Sequence, residues 1–194
     1  MKRLLAYLFI VFGLGLTFSV SADAKTYSSP TEFIEEFNNK SLTIFMKDID
    51  TNQEYKEVSK LIENYFDIKG IGLYSLGDTR KNLNSTQIKK YNNSFKKYWI
   101  KSFYKREALF TTSSSYKVVS KKILNKNYTL ITTLNDENKK IEWRVYTKDT
   151  NKLQIRDVII NGYSLARTQK EEFQSILKEN NFNIKELIIQ LTEF

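Results

Sequence analysis

The apolar residues of this chain change their period twice, and that change limits the fold more than any motif does. Up to about residue 105 they recur at helical spacing, as in Ile34, Phe37, Leu42, Phe45 and Ile49 and again in Val58, Leu61, Ile62, Tyr65 and Phe66. From Tyr116 the period becomes two. Tyr128, Leu130, Thr132 and Leu134 share one strand face, and Ile141, Trp143 and Val145 share a face of the next. After Ile160 the helical spacing returns, over Leu165 to Lys178 and Ile184 to Leu191. Helical sequence on both sides of one strand block predicts an α+β domain.

Local signals place the elements. Ser29-Pro30 reads as an N-cap with Pro in the first helical position, and Thr51-x-x-Glu54 as a capping box. A short apolar segment from Asp67 to Leu76 ends at Gly77, a C-cap residue. Ser85 is the expected cap of the longest helix. Its apolar stripe is Ile88, Tyr91, Phe95, Tyr98, Trp99 and Phe103, and its opposite side carries Lys89, Lys90, Lys96, Lys97, Lys101 and Arg106. Thr111 to Ser115 form a polar loop. Strands over Tyr116 to Ile123, Tyr128 to Leu134, Ile141 to Val145 and Leu153 to Ile160 follow, with turns at Asp136-Glu137-Asn138 and Asp149-Thr150-Asn151. Connections this short require an antiparallel meander. The expected architecture is therefore a four-stranded antiparallel meander sheet, with N-terminal helices and two C-terminal helices packed on it.

Residues 1–24 stand apart from that pattern. Lys2 and Arg3 precede an apolar run from Leu4 to Phe18, and Val20-Ser21-Ala22 or Ala22-Asp23-Ala24 offers small residues for cleavage. This is the order of a secretory signal peptide, and the run is shorter than the roughly 20 residues that span a bilayer. The expected division is a signal peptide over 1–24 and a single domain over 25–194, with the mature chain exported. Losing Lys2, Arg3 and Asp23 takes the net charge from +9 to +8. Export makes nucleic acid a poor partner for such a surface. Anionic lipid is a better one, at about 1 kcal/mol per nearby Lys or Arg. A solvated surface in a Lys-, Asn- and Ile-rich chain accounts for the charge equally well.

Composition removes much enzyme chemistry. The chain has no His and no Cys, hence no Ser-His-Asp triad, no Cys nucleophile and no ordinary zinc or copper site. Gly70-Ile71-Gly72 lacks the third Gly of a dinucleotide fingerprint, and no phosphate-cradling Gly-Lys-Ser/Thr sequence occurs. Ser-x-x-Lys recurs at Ser94, Ser102 and Ser175, as chance allows in a Lys-rich chain. Asp67 and Asp157 form a conceivable carboxylate pair for hydrolysis, or each simply accepts from backbone amides at an element end. No cofactor or metal is expected. With 13 Phe and 12 Tyr, the aromatics either fill a core or line a cavity for a hydrophobic ligand.

Two stretches carry a resemblance. Tyr65-Phe66-Asp67-Ile68, Leu76-Gly77, Gln87, Phe95 and Tyr104 form the first. Asp157-Val158-Ile159-Ile160-Asn161-Gly162-Tyr163-Ser164-Leu165, with Phe173, Ile176-Leu177 and Leu187-Ile188, forms the second. Together they resemble the MlaC family, the periplasmic phospholipid-binding component of toluene-tolerance type ABC transport systems. The family's Trp-Arg after Leu-Gly is replaced by Asp78-Thr79-Arg80, its Trp before the strand-end Asp by Leu153, and its Arg before the late Phe by Lys170.

The resemblance implies a non-catalytic phospholipid carrier, its helices packed on the sheet around an apolar cavity, that shuttles lipid between the membranes and maintains outer-membrane asymmetry. Its implied partners are an outer-membrane lipoprotein complex and the lipid-binding subunit of an inner-membrane ABC transporter, with only transient membrane contact. From the two periodicities, the expected lipid lining is Phe95, Tyr98, Trp99 and Phe103 from the long helix and Leu130, Trp143, Val145 and Ile155 from the sheet. A periplasmic hydrolase, which needs a clustered acid pair, and an envelope adaptor, which needs no cavity, are the alternatives.

Overall fold

The computed structural model describes residues 27–105, 115–149 and 152–194. The expected signal peptide, Arg106, most of the polar loop and part of the Asp149-Thr150-Asn151 turn lie outside the described residues. Four helices come first: α1 (Pro30–Phe45), α2 (Thr51–Tyr65), α3 (Ile68–Ser75) and α4 (Ser85–Lys105), with a 3₁₀ turn over Gly77–Asn82 between the last two. The sheet follows as β1 (Tyr116–Asn125), β2 (Tyr128–Asn135), β3 (Lys140–Tyr146), β4 (Gln154–Ile160) and β5 (Tyr163–Ser164), and α5 (Leu165–Glu179) and α6 (Ile184–Glu193) close the chain. All strand pairs are antiparallel, in the order β1-β2-β3-β4-β5.

The meander is thus confirmed, with five strands rather than four. β5 is two residues long, too short to display alternation, and pairs with Ile159 and Ile160 across a two-residue turn. Asn161 (φ 51°) and Gly162 (φ 83°) make that turn, both in the left-handed region that a tight hairpin demands.

The helix ends follow local chemistry, in places one residue from where the sequence suggested. Ser29 caps α1 by accepting from Glu32 N, with Pro30 following. The helix stops at Phe45, short of Ile49. Asp50, not Thr51, caps α2, accepting from Asn52 N and Gln53 N. Glu54, the expected capping-box partner, instead accepts from the Tyr104 hydroxyl at 2.7 Å. Before α4 the cap is Asn84 rather than Ser85. The Asn84 side chain accepts from Gln87 N, and Gln87 Oε1 accepts from Asn84 N, each at 2.9 Å. Gly77, at φ 54°, ends α3 as expected.

One apolar core joins the layers. Ile131, Ile141, Trp143, Val145, Ile155 and Val158 present one face of the sheet to it, and all are buried. Phe37 of α1 lies on Trp143 at 5.1 Å between centroids, and Phe66, at the α2–α3 junction, lies 5.7 Å from Phe37. A bulge in β4 breaks the period. Val145 is opposite Ile155 and Arg144 opposite Asp157, which leaves Arg156 as the extra residue.

Gly162 has no atom within 4 Å of an added Cβ, so only its backbone conformation opposes a side chain. Gly162→Ala is expected to destabilise the fold by about 1 kcal/mol or more. An unchanged melting temperature would remove the left-handed turn from this account.

Candidate functional site

The eight residues expected to line a cavity do not form one continuous surface. Leu130 is the clear correction. It is opposite Arg144 in the β2–β3 register, whereas Ile131 is opposite Trp143, so Leu130 points to the other face of the sheet from Trp143 and Val145. Alternation defined the face of Tyr128, Leu130, Thr132 and Leu134 correctly but not which neighbour's face it joins. Trp143, Val145 and Ile155 do meet, on the core face, and Trp143 Nε1 donates to Thr133 Oγ1 at 2.9 Å.

Nor does the stripe of α4 face the sheet directly. Phe37 and Phe66 stand between them. Phe66 touches Phe103 at 5.5 Å and Trp99 at 6.4 Å. Trp99 stacks on Phe95 at 5.8 Å, and Phe95 meets Phe173 of α5 edge-on at 6.0 Å. The Tyr98 hydroxyl donates to Gln169 Oε1 at 2.8 Å, so Phe95 and Tyr98 belong to the α4–α5 seam. Phe95, Trp99, Phe103, Trp143, Val145 and Ile155 are all buried in the contiguous core. One polar atom in this layer lacks a partner among the described residues: the indole Nε1 of Trp99. Such a buried donor costs on the order of 1–3 kcal/mol until an acceptor reaches it.

A second site lies on the opposite face of the sheet, and the periodicities did not indicate it. A cavity of about 510 Å³ opens between α3, the β1–β2 hairpin, β3, β4 and the start of α5. Its walls include Arg80, Arg144, Arg156 and Arg167, beside Ile71, Tyr74, Leu124 and Ala166. The β4 bulge turns Arg156 and Asp157 together toward it.

Two of the arginines are fixed by carboxylates. Asp157, 2% exposed, lies with Oδ2 3.0 Å from Arg144 Nη1, and accepts from the Ser164 hydroxyl at 2.8 Å and from Ala166 N at 3.1 Å. Asp67 caps α3 by accepting from Gly70 N at 2.9 Å, and its Oδ2 lies 2.7 Å from Arg156 Nε. Arg156 also donates to the Tyr128 hydroxyl and lies 3.9 Å over the Tyr146 ring. Burial acts to lower the Arg156 pKa, but the Tyr128 hydrogen bond and the Asp67 charge outweigh it, and the guanidinium ends above its ordinary value. It stays charged at any pH the fold survives.

The two carboxylates once conceivable as a hydrolytic pair are therefore each engaged by an arginine and by a backbone amide. Among the described residues no group of His, Cys, Asp and Glu is placed to hold a metal ion, and no helix is long and apolar enough to cross a membrane. Taken together, a helical layer over one face of an antiparallel meander and an arginine-walled cavity on the other define a domain of the α+β class.

The chain belongs to the MlaC family, whose description as the MlaC protein matches residues 31–193. Its fold is similar to a solved structure, the phospholipid-binding protein from Ralstonia solanacearum in complex with a phospholipid. The TM-score is 0.71 at 16% identity, over 84% of this chain and 94% of that one. Among curated proteins, none matches the chain in sequence.

Asp157→Ala leaves Ser164, Ala166 N and Arg144 without their common acceptor. Because Arg144 is partly solvated, the expected cost is about 2–3 kcal/mol in urea unfolding, below that of a fully buried pair. A cost under about 0.5 kcal/mol would contradict this reading of the junction.

Proposed function

We propose that this protein binds a phospholipid and carries it through the periplasm, between an outer-membrane lipoprotein complex and the lipid-binding subunit of an inner-membrane ABC transporter. Membership of the MlaC family carries the reading. The transport energy belongs to the transporter; the carrier binds and releases lipid and makes no bond. Export by a cleaved leader over residues 1–24 is part of the same proposal.

The physical demand on such a carrier is enclosure. Each acyl methylene costs about 0.8 kcal/mol to expose to water, so a two-tailed lipid crosses an aqueous space only inside a protein. The tails are assigned to the aromatic layer around Phe66, against Trp99 and Phe103 on one side and Trp143, Val145 and Ile155 on the other. Phe95 and Tyr98 extend that layer toward α5. Two observations support the choice. The layer is a contiguous apolar region with the sheet on one side and helices on the other, and the unpartnered Trp99 Nε1 fits the ester carbonyl at the head of an acyl chain. In the described conformation the layer is closed, so tails enter by parting Phe37 and Phe66 from their neighbours.

The protein purified without detergent is expected to bring phospholipid with it, read by native mass spectrometry and lipid extraction. Lipid-free protein that takes up none from vesicles would count heavily against the carrier. Within the layer, Val145→Glu sets a carboxylate among the tails at a cost of several kcal/mol unless it protonates or reaches water. Lipid uptake is expected to fall while the circular dichroism spectrum is kept. Outright unfolding would make Val145 part of a solid core, and full uptake by a folded variant would place the tails elsewhere.

A further inference from the structure

Two surfaces of this chain are strongly basic, and they differ in what stands beside the lysines. On the outer side of α4, Lys96 lies 2.7 Å from Glu63, and Lys101 and Lys105 lie over the Phe194 ring. No large apolar residue of α4 is exposed, so that side is a solvated helix face. The second surface is one end of the sheet. The β1–β2 and β3–β4 turns lie side by side there, with Thr147 N donating to the Asn127 carbonyl at 2.8 Å and Tyr128 paired with Tyr146. Lys121, Lys122, Lys126, Lys148 and Lys152 are exposed at this end, and none of them enters a described ion pair. Across β1, β2 and both turns, Asp149 is the one acidic residue.

Large apolar side chains stand among these lysines. Ile123 is 71% exposed and Leu124 39%, in the last turns of β1 before the hairpin loop. Protruding apolar groups ringed by ammonium groups suit the headgroup region of a bilayer, where the apolar groups sink below the phosphates and the lysines stay level with them. Two other occupants fit less well. β1 is the edge of the sheet, but a strand added to it needs an unbroken ladder, and the register breaks at Val119 and again at Leu124. Bulges and lysines together are devices that keep an edge unpaired. A second copy of the chain would set lysine against lysine. No described helix is long and apolar enough to cross a membrane, so the contact is one of lying on the surface.

We infer that this end of the sheet docks on an anionic lipid bilayer, with Ile123 and Leu124 entering the headgroup layer and the five lysines meeting its phosphates. The inference stands on the charge and exposure of the two turns. It uses neither the carrier reading nor the arginine-walled cavity.

The test is flotation of the mature chain with vesicles of phosphatidylglycerol and phosphatidylcholine, against vesicles of phosphatidylcholine alone. The wild type is expected to float with the anionic vesicles only, and less as salt is raised. Affinity is expected to fall about tenfold or more in K121Q/K122Q/K126Q, and by about tenfold in I123S/L124S. K89Q/K90Q/K97Q, which removes the same charge from α4, is expected to float as the wild type does. All the substituted side chains are exposed, so the melting temperatures should hold. Since the chain has no Cys, I123C and Y163C each carry a single environment-sensitive label. Tyr163 is 75% exposed beyond the β4–β5 turn, at the other end of the sheet. The label at 123 is expected to shift to the blue on anionic vesicles and the label at 163 to stay unchanged.

Unchanged flotation of K121Q/K122Q/K126Q, equal loss in the α4 variant, or equal shifts at both labels would overturn the inference. A label at 123 that answers to a Glu-Val repeat peptide and not to vesicles would give the edge to an acidic strand. Concentration-dependent dimers without flotation would give it to a second copy. Either result refutes the membrane. Docking without lipid uptake would contradict the carrier alone, and uptake without docking would contradict this inference alone.

Discussion

The helical half and the sheet are pinned together at Phe66-Asp67. The Asp67 N–H donates to the Ile155 carbonyl at 3.0 Å, and Phe66 makes a bridge to the same strand residue. From that fixed backbone, the Phe66 ring reaches inward to Phe37, Trp99 and Phe103. The Asp67 carboxylate reaches outward, caps α3 and holds Arg156. Two adjacent residues thus set the centre of the aromatic layer and one corner of the arginine cavity. Moving this junction would loosen the packing of both faces at once.

A second junction repeats the logic two residues further along β4. The bulge re-aims Asp157, which collects Arg144, the Ser164 hydroxyl and the Ala166 amide in the first turn of α5. This mid-strand aspartate therefore sets both the entry of the C-terminal helix and the position of a cavity arginine. The charged groups are costly to bury, and each buried carboxylate is matched by several donors. This is why a face carrying four arginines can sit beside an apolar core without disturbing it.

Much of this was legible in the sequence. The change of period locates the helices and the meander, and the stretch from Asp157 to Leu165 carries the resemblance to the family. What sequence did not place has physical reasons. β5 is too short to alternate, though Asn161-Gly162 carried the strongest local signal for a hairpin there. A period of two separates faces without saying which faces of neighbouring strands coincide; only the register parts Leu130 from Trp143. The bulge at Arg156 interrupts the alternation of β4. The aromatic stripe of α4 meets α5 and Phe66 rather than the sheet, because a helical period fixes a side and not the partner. The four arginines of the cavity come from four separate elements, the 3₁₀ turn, β3, β4 and α5, and no single period links them. Its one available signal was compositional, six arginines in a chain that otherwise uses lysine.

The account's central claim is that acyl tails lie in the aromatic layer, and the chain carries its own reporters there. Its two tryptophans, Trp99 and Trp143, both belong to that layer. Bromine quenches indole emission only at close range. Loading the protein with phospholipid brominated along its acyl chains, beside the unbrominated lipid, reads the position of the tails directly, and W99F and W143F separate the two signals. The account predicts strong quenching of each remaining tryptophan by the brominated lipid alone. Unchanged emission from both variants, with phosphorus analysis showing lipid bound to each, would contradict it.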